Sequence, residues 1–224
     1  MPRRARIYTE EGLFHILTRG NNKQRVFHDE ADFKTYKKIV KQLKEEQPFK
    51  LYHYCLMNNH VHLIIETNKL TELSKLMKRI NLLYYNHYKR KYGYAGHFWQ
   101  DRFKSLLIER SEYLLACGLY IERNPVKAKI VNSAEKYQHS SYNYYAYGKE
   151  DGLTDQDIYY DEIGYNDKQR QREYRRLLLD KEKGISNIVF KQLFLGTRKF
   201  IKQMEDKFKV NNTRLEKGRP KKIK

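Results

Sequence analysis

The chain has 224 residues, a length that suits one domain with an extension or one domain with a small second one. Its mean hydropathy is −0.92, and no apolar run approaches the length needed to cross a bilayer, so we expect no membrane span. Cys55 and Cys117 form neither a disulfide framework nor a zinc-ligand pattern, so we expect buried, reduced thiols.

Charge is the strongest compositional signal. A net charge of +19 predicts a polyanionic partner, with nucleic acid as the first candidate. The 20 tyrosines and 10 phenylalanines suit single-stranded nucleic acid, whose bases stack on aromatic rings while its phosphates meet Lys and Arg. A tyrosine-rich core in a lysine-rich protein would give the same composition. The N-terminus lacks the apolar segment of a secretory signal, so we expect a cytoplasmic protein.

The first half of the chain predicts a strand, a helix and a hairpin. Residues 13–19 form a strand pattern, and residues 30–47 have a helical period that stops at Pro48. Residues 49–57 and 60–66 are strand patterns separated by two asparagines, which is a turn signal. We therefore predict a β-hairpin.

Three more elements follow the hairpin. Residues 70–91 form a long helical pattern, and residues 103–109 form a strand pattern. The next helix has Ser111 as its expected N-cap, and we expect Pro125 to end it.

This order of elements predicts an α+β fold. The order β-α-β-β-α-β is that of a ferredoxin-like split βαβ sheet with two helices on one face, and one more helix follows it. We assign this unit to residues 1–145. Residues 146–224 are predicted to be a mainly helical, basic extension and a candidate accessory DNA-binding region, with helical patterns at residues 168–184 and 185–209.

His60 and His62 are the first candidate site residues. Successive side chains of a strand point to opposite faces, so these two histidines share a face while Val61 takes the other. Two imidazoles on one rigid face make half a metal site, which needs a third ligand. Histidines at alternate positions are also found simply on a protein surface, and the spacing alone leaves both interpretations open.

Tyr120 and Asn124 are the second candidate pair. They are four residues apart in a predicted helix and so share a face. An asparagine offers a carbonyl oxygen to a hard divalent ion, and a tyrosine offers a phenol that can act as a covalent nucleophile. Asn-Pro is also a common helix stop, and spacing alone does not choose among 20 tyrosines.

Four sequence blocks together carry a resemblance to a known family. They are FHILTRGN (14–21), CLMNNHVH (55–62), GHFWQDRFKS (96–105) and YLLACGLYIERNPVKA (113–128). With these blocks in this order, the chain is similar to the REP-associated tyrosine transposases, within the single-tyrosine HUH (His-hydrophobe-His) transposases, over roughly residues 1–145. One departure is Asn58, where the family commonly has proline.

The resemblance implies roles for these residues. His60 and His62 would be the HUH metal ligands, Asn124 the third ligand and Tyr120 the nucleophile. The implied reaction cleaves single-stranded DNA flanked by hairpins, leaves a 5′-phosphotyrosine link and a free 3′-OH, and later rejoins the strand. Mixed nitrogen and oxygen ligation on phosphate chemistry favours Mg²⁺ or Mn²⁺ over zinc. Residues 1–145 would be the catalytic domain.

Basic and aromatic residues outside this set are candidate DNA contacts. Trp99 would stack on a flipped base or fill the core, and the lysines and arginines would contact phosphates or form a solvated face. Gly-Arg-Pro around Arg219 resembles an AT-hook core, which places an arginine in a narrow minor groove. His15 and His97 are interpreted as structural. The candidate contacts are Arg19, Lys89, Arg90, Lys91, Trp99, Arg102, Lys104 and Arg219.

Two other functions remain open from the sequence. One is a DNA-binding protein that recognises hairpins without cleaving them. The other is a metal-dependent phosphodiesterase that uses water as its nucleophile, and whose cleavage would survive Tyr120→Phe. The sequence also leaves open whether the protein is a monomer or a homodimer, and whether the nucleophile and the metal ligands come from the same chain.

Overall fold

The computed structural model describes residue 7 and residues 9–180 and 192–213. Five strands form one sheet in the order β2-β3-β1-β4-β5, in which the first four pair antiparallel and β5 pairs parallel with β4. The strands are β1 Gly12–Arg19, β2 Phe49–Met57, β3 His60–Thr67, β4 Lys104–Ile108 and β5 Phe194–Leu195. The helices are α1 Glu30–Glu46, α2 Leu73–Tyr92, α3 Tyr113–Glu122, α4 Asn124–Lys127, α5 Tyr142–Tyr147, α6 Asp167–Leu179 and α7 Arg198–Phe208.

The observed order of elements confirms the predicted ferredoxin-like α+β fold. The strand order of β1 to β4 and the two helices α1 and α2 are those of a split βαβ unit. Helix α1 begins where the Asp29 side chain accepts a hydrogen bond from the Asp32 amide. It ends at Glu46 because Gln47, which precedes Pro48, is extended (φ −141°, ψ 134°).

Two predicted helix boundaries near the site are wrong. Pro125 does not stop the helical path, because it occupies the first turn of α4, where its missing N–H costs nothing. Arg123 between α3 and α4 keeps a right-handed helical conformation (φ −76°, ψ −18°). The N-cap of α3 is Glu112, and Ser111 instead accepts a 3.5 Å hydrogen bond from the Tyr113 amide.

The two faces of the sheet are covered by different helices. We call the face that carries Val61, Leu63 and Ile65 the helix face, since these residues pack with α1 and α2 in one hydrophobic cluster. We call the opposite face, which carries His60 and His62, the histidine face. Helix α3 packs there, in a cluster with both cysteines and other buried residues of β1 to β4. Both cysteines are buried and free.

The C-terminal extension packs onto this unit at several places, including β5 and α6. Residues Phe194 and Leu195 of β5 join the clusters on the helix face and the histidine face, respectively. Helix α6 packs on the outer side of α3, where Tyr174 and Leu178 contact a cluster that includes Leu119. Helix α3 therefore lies between the sheet and α6. Besides its helices the extension contains strand β5, which the helical pattern over residues 185–209 did not predict. No helix in the described ranges is long and apolar enough to span a membrane.

Candidate functional site

Strand β3 presents the His60 and His62 side chains on the histidine face. Their ring centroids are 4.9 Å apart and their planes meet at 80°. Val61 between them is 1% exposed in the core of the helix face. The His60 Nδ1 atom is 2.6 Å from Asn59 Oδ1, so the turn of the hairpin orients this imidazole. With Nδ1 in this hydrogen bond, Nε2 is the ring nitrogen that remains available to a ligand.

Burial makes both imidazoles neutral at neutral pH. It lowers the pKa of His60 to about 4, with a further contribution from the charge of Arg19, which pairs with His60 across β1 and β3. Burial also lowers the pKa of His62 well below its ordinary value, helped by His15, His60 and Arg19. Neutral imidazole is the form that binds a metal ion.

His15 supports His62 from the neighbouring strand. Its Nε2 atom lies 2.9 Å from His62 Nδ1, and it is fully buried, which lowers its pKa to about 3. The structure therefore gives His15 an orienting contact that the sequence interpretation missed. The alternation of side chains along β1 could have indicated this contact. Phe14 and Ile16 lie in the helix-face cluster, so His15 between them faces the histidine face.

Helices α3 and α4 bring Tyr120 and Asn124 to the same place. Together with the histidines they line a cleft of about 340 Å³. The full lining is Leu17, Arg19, Met57, His60, His62, Tyr120, Asn124, Lys127 and Ala128. One chain therefore supplies the predicted nucleophile and all three predicted metal ligands to one cleft.

The Tyr120 phenol is half-buried in this cleft. Burial raises its pKa, so the free protein does not favour the phenolate. Its ring meets that of His15 edge-on, with centroids 6.4 Å apart. Lys127 places its Nζ 5.0 Å from the centre of the Tyr120 ring. Lys127 was not among the predicted site residues, although it lies seven positions after Tyr120 on the same helical stripe.

The donor set in the cleft fits a divalent metal ion. His60 and His62 offer imidazole nitrogens, and Asn124 offers an amide oxygen. Within the described ranges, no group of three or more His, Cys, Asp or Glu residues could hold a metal ion. A metal site at the histidine pair therefore needs a ligand of another type, and the amide-bearing Asn124 lines the same cleft.

Among the predicted DNA contacts that the structure describes, only Arg19 lines this cleft. Its Nε atom is buried and has no hydrogen-bond partner within the described part of the chain. Lys104 begins β4 and is exposed, opposite Leu17 of β1. Arg102 is also exposed and lines a second cleft with Lys75 and other residues.

The remaining candidates lie elsewhere. Lys89, Arg90 and Lys91 are at the end of α2, which packs on the helix face, and Lys91 forms ion pairs with aspartates. The Trp99 ring packs against Phe98, with centroids 4.6 Å apart, and its indole N–H donates to the Asn81 carbonyl at 3.2 Å. Arg219 lies outside the described residues.

A family model described as "Transposase IS200 like" matches residues 9–124, more than half of the chain. The chain belongs to this transposase family. The matched segment contains both histidines of β3 together with Tyr120 and Asn124. No curated protein matches the sequence.

One solved structure supports the same fold. The chain is similar to a REP-associated tyrosine transposase bound to a REP hairpin, with 19% identity and a TM-score of 0.56 over 70% of this chain and 93% of that one. The family and fold matches confirm the resemblance drawn from the four sequence blocks. A putative transposase from Deinococcus radiodurans also matches, at 16% identity and a TM-score of 0.39, over 55% of this chain and 97% of that one.

Proposed function

We propose that this transposase cleaves and rejoins single-stranded, hairpin-flanked DNA through a covalent link between Tyr120 and a 5′-phosphate. The observation that supports the proposal is that the Tyr120 phenol, His60, His62 and Asn124 line one cleft of one chain. A protein that only binds DNA has no need to bring a phenol, two neutral imidazoles and an amide oxygen together.

The reaction forms one bond to phosphorus and breaks another. The Tyr120 oxygen attacks the scissile phosphorus, its proton is lost, and the bond from phosphorus to the 3′ oxygen breaks. The departing 3′ oxygen takes up a proton and becomes a free 3′-OH. The phosphotyrosine bond replaces a phosphodiester of similar energy, so a 3′-OH can later attack it and rejoin the strand without a nucleoside triphosphate.

We propose that His60, His62 and Asn124 hold Mg²⁺ or Mn²⁺ in this reaction. When bound, such an ion neutralises charge on the scissile phosphate and makes the phosphorus easier to attack. The His60 and His62 imidazoles are neutral and fixed by hydrogen bonds to Asn59 and His15, so the protein has organised them in advance.

Two cations in the cleft assist from the protein side. The Lys127 ammonium lies beside the Tyr120 ring, where it would stabilise the negative charge that develops on the phenol oxygen as its proton is lost. The Arg19 guanidinium, which lines the cleft, offers a charged donor to a DNA phosphate. The net charge of +19 supports the DNA partner, and the structurally similar transposase is itself bound to a REP hairpin.

We also propose that one chain is catalytically complete, whether the protein is a monomer or a homodimer. In this proposal, residues 1–145 form the catalytic domain and residues 146–224 form an accessory extension. Action on chromosomal DNA would place the protein in the cytoplasm.

The test is a denaturing gel of the protein incubated with labelled single-stranded hairpins copied from the DNA that flanks its gene. We expect a covalent protein–DNA adduct that needs Mg²⁺ or Mn²⁺ and disappears in Tyr120→Phe. Tyr113→Phe is the matched control, because Tyr113 is also a partly buried tyrosine of α3.

Two results would contradict the proposal. Cleavage without an adduct that survives Tyr120→Phe would show a phosphodiesterase that uses water. Hairpin binding without any cleavage would show a protein that only binds DNA.

A further inference from the structure

A buried polar cluster lies directly behind the helix that carries Tyr120. Glu122 is fully buried and comes two residues after Tyr120, so it points away from the cleft. Its carboxylate accepts hydrogen bonds from Ser141 Oγ at 2.5 Å and Tyr174 Oη at 2.7 Å. It also lies 3.1 Å from the Nδ1 atom of His53. Tyr174 belongs to α6, so the carboxylate joins α3 to the extension.

His53 joins this carboxylate to a second one. Its Nε2 atom is 3.0 Å from Asp157 Oδ2. Complete burial alone would lower the pKa of His53, but hydrogen bonds and charge interactions with Asp157 and Glu122 more than offset it and raise the pKa to about 9. His53 is therefore an imidazolium at neutral pH that donates one hydrogen bond to each carboxylate. We call His53, Glu122, Ser141, Asp157 and Tyr174 the Glu122 cluster.

The His53 ring lies in close contact with the backbone of α3 at Gly118. A Cβ atom added at Gly118 would lie only 2.4 Å from His53 Cε1. Glycine is therefore required where the ring meets the helix. The contact fixes how far α3 stands from β2, the strand that carries His53.

A second tether joins the end of α3 to α6. The Arg123 guanidinium donates from Nε to the Leu178 carbonyl at 2.6 Å and from Nη2 to the Asp180 carbonyl at 2.7 Å. It also donates to the Leu177 carbonyl. Carbonyls at a helix C-terminus lack intrahelical partners, and a cation there also suits the helix dipole. Arg123 thus caps α6 from a position next to Asn124.

We propose that the Glu122 cluster and the Arg123 cap are positioning devices, through which the C-terminal extension fixes Tyr120 against the histidine pair. This inference rests on the proposed function of Tyr120. It makes Asp157, Tyr174 and the end of α6 necessary for full reaction rate, although none of them lines the cleft.

The physical reason is the geometric demand of an attack on phosphorus. A misplacement of about 1 Å in a reacting group can cost about 100-fold in rate. Apolar packing would hold α3 without a desolvation penalty. A buried ionic group has such a penalty, and only hydrogen bonds of good geometry offset it, so it restricts the position of the helix more strongly. The partners of Glu122 come from β2, from the segment before α5 and from α6, so they together select one position of α3.

The test compares two tyrosines of the extension that differ in their hydrogen-bond partner. Tyr174→Phe removes a hydroxyl that binds Glu122, whereas Tyr160→Phe removes a hydroxyl that binds the Tyr145 carbonyl at 2.7 Å. Both tyrosines are buried in the same hydrophobic cluster. Each full-length variant is assayed for single-turnover adduct formation, hairpin affinity and hydrogen exchange of the α3 amides.

We expect Tyr174→Phe to form the adduct roughly tenfold more slowly, as expected for the loss of a hydrogen bond to a charged group, with unchanged hairpin affinity. Amides at the end of α3 should exchange faster in this variant, while Tyr160→Phe should match the wild type in all three measurements. Arg123→Gln removes the second tether and should give the same pattern as Tyr174→Phe.

Equal slowing in Tyr174→Phe and Tyr160→Phe would overturn the inference, because it would show a general effect of packing. If the wild type forms no adduct, the proposed function fails, and hydrogen exchange then decides the positioning claim alone. Equal α3 exchange in Tyr174→Phe and the wild type would overturn that claim.

Discussion

The two faces of one sheet differ in what they bury. On the helix face, Val61, Leu63 and Ile65 pack against the apolar sides of α1 and α2. On the histidine face the same strand turns His60 and His62 toward the cleft. Alternation along β3 thus divides one strand into a side that stabilises the fold and a side that carries the proposed chemistry.

Two buried histidines on the histidine face show how the surroundings set charge. Burial lowers the pKa of His62, and its hydrogen-bond neighbour, the imidazole of His15, lowers this pKa further instead of offsetting the effect. His62 is therefore neutral. His53 is equally buried but lies between Glu122 and Asp157, which raise its pKa to about 9. A neutral imidazole binds metal ions, whereas an imidazolium between carboxylates stabilises structure. The following predictions test this division between the faces.

The largest effect is expected at the cleft itself. His60→Ala should lower adduct formation by roughly 1,000-fold or more, because loss of a bound metal removes several kcal/mol of charge stabilisation. Its unfolding midpoint should change little, since His60 is only partly buried. His97→Ala, at an exposed histidine, is the control and should react like the wild type. Normal adduct formation by His60→Ala would remove it from the metal site.

Adjacent residues of β3 give the sharpest comparison of the faces. Leu63→Ala and Ile64→Ala should each lower the free energy of unfolding by about 2–5 kcal/mol, because both side chains are fully packed. Leu63 faces α1 and α2, so folded Leu63→Ala should keep the wild-type adduct rate. Ile64 pairs with His15 across the strands, so Ile64→Ala should also slow the reaction.

Urea unfolding and single-turnover kinetics on the same preparations would check this. Equal slowing of the reaction in both variants would contradict the division between the faces.

The pH dependence of stability tests the charge of His53. Its pKa is raised by folding from 6.5 to about 9, so its stabilisation is complete below pH 6.5 and is lost as the pH rises towards 9. The expected loss across that window is about 3 kcal/mol at most. It should be absent in His53→Gln. Parallel stability curves for wild type and variant between pH 6.5 and 9 would show that His53 is not charged in the folded state.

A smaller effect is expected from His15, whose Nε2 atom lies 2.9 Å from His62 Nδ1 and whose ring centroid is 5.1 Å from that of His62. His15→Leu keeps a buried side chain of similar size and should weaken Mn²⁺ binding about 10–100-fold, as loss of such an outer contact does at other metal sites. His15→Gln retains a hydrogen-bonding group and should recover part of the affinity. Calorimetric titration with Mn²⁺ gives both values, and an unchanged affinity in His15→Leu would leave His15 a packing role only.

Sequence patterns predicted those strands and helices whose formation depends mainly on residues close together in the chain. The observed β2 spans the predicted residues 49–57, and β3 begins at His60, because alternation and an Asn-Asn turn specify a hairpin. Strand β5 has two residues and exists only by pairing with β4, so no local pattern indicates it. Pro125 was misinterpreted because a proline at a helix start and one at a helix end look alike in sequence.

The sequence predicted the main residues of the candidate site but not the contacts that support them. The resemblance named His60, His62, Tyr120 and Asn124, and the structure places them in one cleft, but their roles stay predictions. The contact of His15 with His62 depends on the pairing register of β1 and β3, which the sequence does not give. The Glu122 cluster needs β2, α3 and α6 to be packed together, so its partners are visible only in the folded chain.

Mapping the DNA-linked residue by mass spectrometry would test the central claim most directly. Wild-type protein is incubated with a single-stranded hairpin and Mn²⁺, the DNA is trimmed with nuclease, and the protein is digested into peptides. We predict a nucleotide attached through its 5′-phosphate to Tyr120 and to no other tyrosine. Attachment at a different residue, or cleaved DNA with no modified peptide, would contradict the account.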